Sequence, residues 1–275
     1  MSVAGIADNQ LALDIEAARR RQRRTFTTMF FATWAVILVA LGGFLAFSVG
    51  VNVDFLRTWL PFIVGTADFP GGLFLTLFIS IVSIVFAVIF AVFGALGRLS
   101  RNPVFNGIAS LYVSVVRGTP LIVQIFFIYL GLPAAGIIVP EIPSGIIALS
   151  FNYGAYLTEV FRAGIQAVPG GQVEAARALG FRERQVLRRV VLPQAIRIVI
   201  PAVGNDFIAM TKDSALISVI GVQELLWRAQ AAGRPTGQSF QTILVAAAIY
   251  WVMTLVLSAF QARLERRMAE GDKAR

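Results

Sequence analysis

Four polar side chains, Arg117, Thr119, Glu159 and Asp206, stand inside stretches that are otherwise strongly apolar. An ionised group at the middle of a bilayer costs at least about 2.5 to 3.5 kcal/mol, so it faces a cavity or an opposite charge. A guanidinium and a carboxylate together complement the two charges of a zwitterion. Arg117 and Glu159, with Thr119 beside them, therefore form a candidate path for such a solute. Two plainer readings stay open: an Arg117–Glu159 pair that only holds helices together, or Glu159 paired with Arg162 on the next turn. Asp206, next to Asn205, either lines an outer gate or satisfies backbone freed near Pro201 and Gly204.

Much other chemistry is excluded. The chain contains no Cys and no His, so disulfides, iron-sulfur clusters, His or Cys zinc sites and a histidine base cannot be built, and no metal site is expected. The only lysines are Lys212 and Lys273, followed by Asp213 and Ala274. A phosphate-cradling G-x-x-x-x-G-K-[ST] loop is impossible. The chain is not expected to hydrolyse nucleotide by that route.

The elements that position these residues are membrane helices. Of 275 residues 57% are apolar and only 14% charged, with a mean hydropathy of +0.76. A helix crossing the hydrocarbon needs about 20 mostly apolar residues. The pattern predicts an all-α integral membrane fold with about six spans, near Phe26–Gly50, Gly72–Gly97, Ile108–Leu132, Pro143–Ile165, Val190–Met210 and Phe240–Gln261. Because the uncharged stretch after the basic run R-R-R-Q-R-R is long and no small-residue cleavage site follows, the first is read as a retained helix. With both termini inside, 18 of the 24 Lys and Arg residues fall in cytoplasmic segments and four outside. That positive-inside bias accounts for the net charge of +9 without nucleic acid.

Between the fourth and fifth spans lies V-P-G-G-Q-V-E-A-A-R-A-L-G-F-R-E-R-Q-V-L-R-R-V-V-L-P, Val168 to Pro193. Pro169, Gly170 and Gly171 read as a turn, a short helix begins near Gln172, and Gly180 is suited to a left-handed C-cap. Ala175, Ala178 and Leu179 share a face with Glu174 and Arg177 beside them; a second helix from about Arg182 presents Arg184, Arg188 and Arg189. Two uses fit, a helix docking into a groove of another protein and an amphipathic helix lying on the inner leaflet.

Glu174, Ala175 and Ala176, then Gly180, Leu192 and Pro193, resemble the E-A-A motif of the membrane subunits of ATP-binding-cassette importers. The polar amino acid branch of that family is matched by G-L-F-L-T-L-F-I-S from Gly72, R-G-T-P-L-I-V-Q at Arg117–Gln124, A-Y-L-T-E-V-F-R-A-G-I at Ala155–Ile165, P-Q-A-I-R at Pro193–Arg197, and I-A-M-T-K-D-S-A-L-I-S-V-I-G-V-Q-E-L at Ile208–Leu225. Val190 replaces the usual Ile, and Ala215 a hydroxyl residue. The resemblance implies a type I importer-like permease. Its five-helix domain would span 70–262, with a coupling loop at 166–189, a basic N-terminal segment at 1–25, an additional helix at 26–50 and a basic tail at 263–275.

The resemblance further implies that Glu174, Ala175, Ala176, Leu179, Gly180 and Arg184 dock on a separate ABC ATPase subunit, which binds the ATP, so that this chain is a non-catalytic subunit without a cofactor of its own. A second permease subunit, identical or related, an extracytoplasmic amino-acid-binding protein and an amino acid substrate complete the expected partners, in a bacterial inner membrane. Arg57, Arg228 and Arg234 are candidate contacts for the binding protein. Lys212, Asp213 and Ser214 read as a solvated outer cluster, and Leu216–Trp227 as a short helix on the outer surface with Trp227 at headgroup level. An ion-coupled secondary transporter using Asp206 or Glu159 is the alternative, and a scaffold anchoring a cytoplasmic enzyme a third.

Overall fold

The computed structural model describes residues 3–49, 52–66 and 71–273. Residues 1–2 of the basic N-terminal segment, Gly50 at the expected end of the first span, residue 70 at the expected start of the five-helix domain, and residues 274–275 of the tail lie outside them. The described chain is helical throughout. It forms two units, Met1–Val53 and Asp54–Arg275.

The first unit is one helix, α1 (Val3–Val49). Its stretch Arg24–Phe44 is long and apolar enough to span a membrane. Phe26, Phe31, Val36 and Phe47 are all exposed, as expected of a helix that is apolar all round and solvated by lipid.

The second unit begins with α2 (Val53–Val64) and α3 (Gly72–Leu99), followed by α4 (Pro103–Gly118). Next come α5 (Leu121–Phe126, continued to Ala134 through a π turn) and α6 (Glu141–Gln166). The loop helix α7 (Gly170–Ala178) and α8 (Glu183–Val186) lead through a second π turn into α9 (Leu192–Asp213). A 3-10 segment, Ser214–Ile220, precedes α10 (Leu225–Gly233) and the long α11 (Ser239–Lys273).

Alpha helices α3 and α6 form the most extensive pairing, and the residues on the seam explain it. Ala87, Ala91, Gly94 and Ala95 of α3 meet Gly154, Ala155 and Thr158 of α6, all buried. A Cβ at Gly154 would stand 2.7 Å from both Phe90 Cβ and Tyr112 Oη. Small side chains allow this approach where lipid supplies no hydrophobic drive between helices. Outward, Phe74, Phe93 (70% exposed) and Phe260 face away from the core, the surface of a body solvated by hydrocarbon.

Gly72–Leu99 and Ser239–Met268 are long and apolar enough to span. At about 1.5 Å per residue, the 26 residues of α6 and the 22 of α9 also reach across. Their Glu159, Arg162, Arg197 and Asp206 lower the average apolarity without shortening them.

Two expectations are corrected. The span Ile108–Leu132 is not one straight helix: α4 and α5 meet at 109°. Thr119 is extended, with φ −119° and ψ 145°, because a residue before proline is pushed out of the helical region. The stretch Leu216–Trp227 is not one short helix laid on a surface: it is divided between the 3-10 segment and the start of α10. Ile217, Val222 and Leu225 are fully buried, and Trp227 is half-buried. Leu225 packs with Ile63, Ala229, Ala232 and Ala246, so its apolar face closes on α2 and α11.

Candidate substrate path and coupling loop

The α4–α5 break creates a cavity of about 520 Å³ lined by α4, α6 and α9. Arg117 ends α4, where a cation favours the helix dipole. Thr119 Oγ1 donates to Val115 O at 2.9 Å. Gln124 Nε2 donates to Val116 O at 2.8 Å and to Thr119 Oγ1 at 2.9 Å, which ties the kink together from α5. Its Oε1 accepts from Asn152 Nδ2 of α6 at 3.2 Å. The segment R-G-T-P-L-I-V-Q is thus a built corner.

Into this corner α6 presents Asn152, Tyr153 and Tyr156, and α9 presents Asp206 and Asp213. The Arg117 guanidinium lies 5.0 Å from the centre of the Tyr156 ring, a cation–π distance. Tyr153 Oη donates to Asp213 Oδ2 at 2.7 Å. Asp206 is half-buried, two turns before Asp213 on the same helix. The arrangement offers one cation, two carboxylates, an amide and two phenols around a space of ligand-site size.

Of the residues expected on the path, Arg117, Thr119 and Asp206 come together and Glu159 does not. Arg117 is also exposed to the cavity instead of buried within a span, because the break places it at a helix end. Glu159 Oε2 accepts from Arg162 Nε and Nη2 at 2.9 and 2.7 Å, and Oε1 accepts from Arg98 Nε at 3.1 Å. Arg98 also donates to Ser110 Oγ, and Asn106 Nδ2 donates to Arg98 O at 2.8 Å. This network fastens the C-terminal ends of α3 and α6 to α4, so the pairing with Arg162 holds and the Arg117–Glu159 pair does not form.

The outer cluster divides in the same way. Lys212 is exposed, Ser214 is fully buried, and Asp213 belongs to the cavity. Arg57 and Arg234 are exposed, whereas Arg228 is 5% exposed. Its Nε donates to Gln223 O at 3.0 Å and its Nη1 to Phe62 O at 3.1 Å, which removes it from the surface expected to meet a binding protein.

Glu224, fully buried, went unread in the sequence. It caps α10 by accepting from Trp227 N at 2.8 Å, and Tyr250 Oη of α11 and Thr76 Oγ1 of α3 donate to its other oxygen. On this connection outside the spans, burial raises its pKa from 4.5 to about 6 against the opposing effect of those bonds.

At the opposite end, α7 closes as the sequence predicts. Gly180 has φ +82°; its N–H donates to Arg177 O at 2.9 Å, and Phe181 N–H donates to Ala176 O at 3.1 Å. This is a Schellman closure. Ala176, 6% exposed, faces inward against Val168, Val186, Val191 and Ala195. Glu174, Ala175, Ala178, Leu179 and Arg184 face outward, with Leu179 78% exposed. Arg177 donates to both oxygens of Glu183 at 2.7 and 3.0 Å, which holds the Glu183 carboxyl below its ordinary pKa. Gln194 Nε2 donates to Gln172 Oε1 at 2.6 Å, joining α7 to the start of α9. Among the described residues, no group of three or more acidic side chains is placed to hold a metal.

The profile of the family described as "Binding-protein-dependent transport system inner membrane component" matches residues 83–270. The L-cystine transport system permease protein TcyB of Bacillus subtilis is 42% identical over 72% of this chain and 85% of its own length. The arginine transport system permease protein ArtQ of the same organism is 37% identical over 81% of this chain and all of its own. A solved amino acid ABC transporter with histidines superposes with a TM-score of 0.73 and 41% identity, covering 79% of this chain and all of that one. The MetNI methionine ABC transporter, at 20% identity and a TM-score of 0.62, shares the fold over 72% of this chain and 94% of its own.

Proposed function

Because the chain belongs to the family of inner membrane components of binding-protein-dependent transport systems, we propose that it is the permease subunit of an ATP-driven amino acid importer. It forms the translocation path and takes its energy from a separate ATPase through the Glu174–Arg184 loop. Relatives that carry L-cystine and arginine support an amino acid as the solute.

One observation carries the reading. Helix α6 has Asn152, Tyr153 and Tyr156 at the cavity and runs down to the loop; α9 leaves the loop and carries Asp206 and Asp213 back to the same cavity. The outward residues of α7 form a rigid knob with an exposed Leu179, suited to a groove on a partner. Gln172 bonded to Gln194 and the Arg177–Glu183 pair stiffen that knob. ATP-driven closure of two ATPase subunits would displace two docked loops, and the paired helices would tilt from an inward-open to an outward-open cavity, a two-state change biased by ATP. The cytoplasmic orientation of the loop and both termini follows the positive-inside bias. A second permease subunit completes the path, and an extracytoplasmic amino-acid-binding protein delivers the solute at the end bearing Arg57 and Arg234.

The test is reconstitution in proteoliposomes with the ATPase and the binding protein. Amino acid uptake that requires ATP and both partners supports the reading; ATP-independent uptake by this chain alone contradicts it and points to ion coupling.

A further inference from the structure

We propose that the cavity under the α4–α5 break selects an amino acid with a cationic side chain. This rests on reading the cavity as the translocation path, and it follows from the charges that line it. An amino acid of any kind brings one α-carboxylate and one α-ammonium. Arg117, held over Tyr156 at the end of α4, is the one guanidinium among the described residues of the wall and suits the α-carboxylate. One aspartate suffices for the α-ammonium, and the wall has two, Asp206 and Asp213. A neutral solute leaves the second carboxylate facing the cavity without a counter-charge, whereas a cationic side chain pairs with it. An acidic solute adds a third negative charge. A solute with a side-chain cation satisfies every charged group.

The spacing agrees. Asp206 and Asp213 are seven residues apart, so they lie on one face of α9, about 10 Å apart along the axis. That separation fits a solute whose side-chain cation stands several bonds from its α-ammonium. Asp213 already accepts from Tyr153 Oη at 2.7 Å, which fixes its orientation and leaves its other oxygen for the solute. Asn152, held by Gln124, adds a neutral polar contact that does not alter the charge balance. Lys212 is exposed and does not line the wall, so it does not offset the aspartates.

The test uses the assembled permease–ATPase complex in nanodiscs without the binding protein, whose own selectivity would mask that of the cavity. Binding of radiolabelled L-arginine, L-lysine, L-glutamine and L-glutamate is measured. Arginine or lysine should bind at least about tenfold more tightly than glutamine, the worth of one charge-assisted contact, and glutamate should bind weakest. D206N and D213N, which keep shape, remove the two carboxylates in turn: the variant that loses the side-chain partner should cut the preference for arginine over glutamine to about threefold or less with glutamine binding little changed, and the variant that loses the α-ammonium partner should weaken both solutes. Equal or tighter binding of glutamine, or equal weakening of both solutes in both Asn variants, overturns the inference and leaves the path intact. If no amino acid binds, or R117A alters none of them, the path reading fails and takes the inference with it.

Discussion

Tyr153 and Asp213, sixty residues apart, are joined by a 2.7 Å hydrogen bond in which the phenol donates to the carboxylate. It ties the middle of α6 to the last turn of α9, the two helices that flank the α7–α8 loop. Removing the donor with Y153F loosens that link without opening a cavity. A hydrogen bond to a charged acceptor is worth about 1.5 to 3 kcal/mol. Substrate-stimulated ATPase activity of the reconstituted complex should fall about tenfold or more while membrane insertion and complex assembly are retained.

Gly180→Val tests the closure of the loop helix. At φ +82° a β-branched residue is strongly strained. The Schellman bonds should be lost, and α7 should no longer present its outward face as a unit. ATP-dependent uptake is expected to vanish while the subunit still inserts; fluorescence-detected gel filtration of the complex and uptake assays read the two effects separately. Ala176→Leu should produce the same uncoupling from the inner side, because no room for a larger side chain is left beside Val186 and Ala195.

Glu159 joins Arg98 and Arg162, so its replacement should act on stability. Glu159→Ala leaves two guanidinium groups without their carboxylate at the C-terminal ends of α3 and α6. A loss of about 1 to 3 kcal/mol follows, from charged hydrogen bonds in a partly exposed site. The melting temperature of the purified complex should drop, whereas solute affinity in the surviving protein should stay within about twofold. A selective loss of affinity at unchanged melting temperature would return Glu159 to the path.

Glu224 gives the chain a pH-dependent stability of predictable sign. Its folded pKa, about 6, lies above the ordinary 4.5, so between these values the folded state holds more protons than the unfolded one. Its stabilising contribution is complete below about pH 4.5 and is lost as pH rises through about 6. Melting temperature should therefore decline between pH 5 and 7.5 by a component that E224Q removes.

Much of this architecture could be read from residue patterns. Uncharged runs mark α1, α3 and α11, and Gly180 with Pro169 brackets the loop helix, because lipid and helix caps impose local rules. The cavity was half legible. Arg117, Thr119 and Asp206 stand out as polar residues in apolar text, but whether two of them meet depends on where a helix breaks, and Thr119–Pro120 turned α5 by 109°. Asn152, Tyr153 and Tyr156 carried a usable signal, polar groups at i, i+1 and i+4 of a span. Glu224 carried none: an acid beside an apolar run reads as a surface cap until Thr76 and Tyr250, from distant helices, close over it.

The central claim is that the outward face of α7 is gripped by a separate ATPase on the cytoplasmic side, and the absence of native cysteine allows it to be measured directly. A single L179C variant, assembled with an ATPase subunit carrying cysteines along its docking groove, should form an intersubunit crosslink under mild oxidation. ATP should change the crosslinking yield, and reagents confined to the outer side should leave position 179 unlabelled. Labelling of that position from outside, or the failure of every groove position to crosslink in a complex that still imports, would contradict the account.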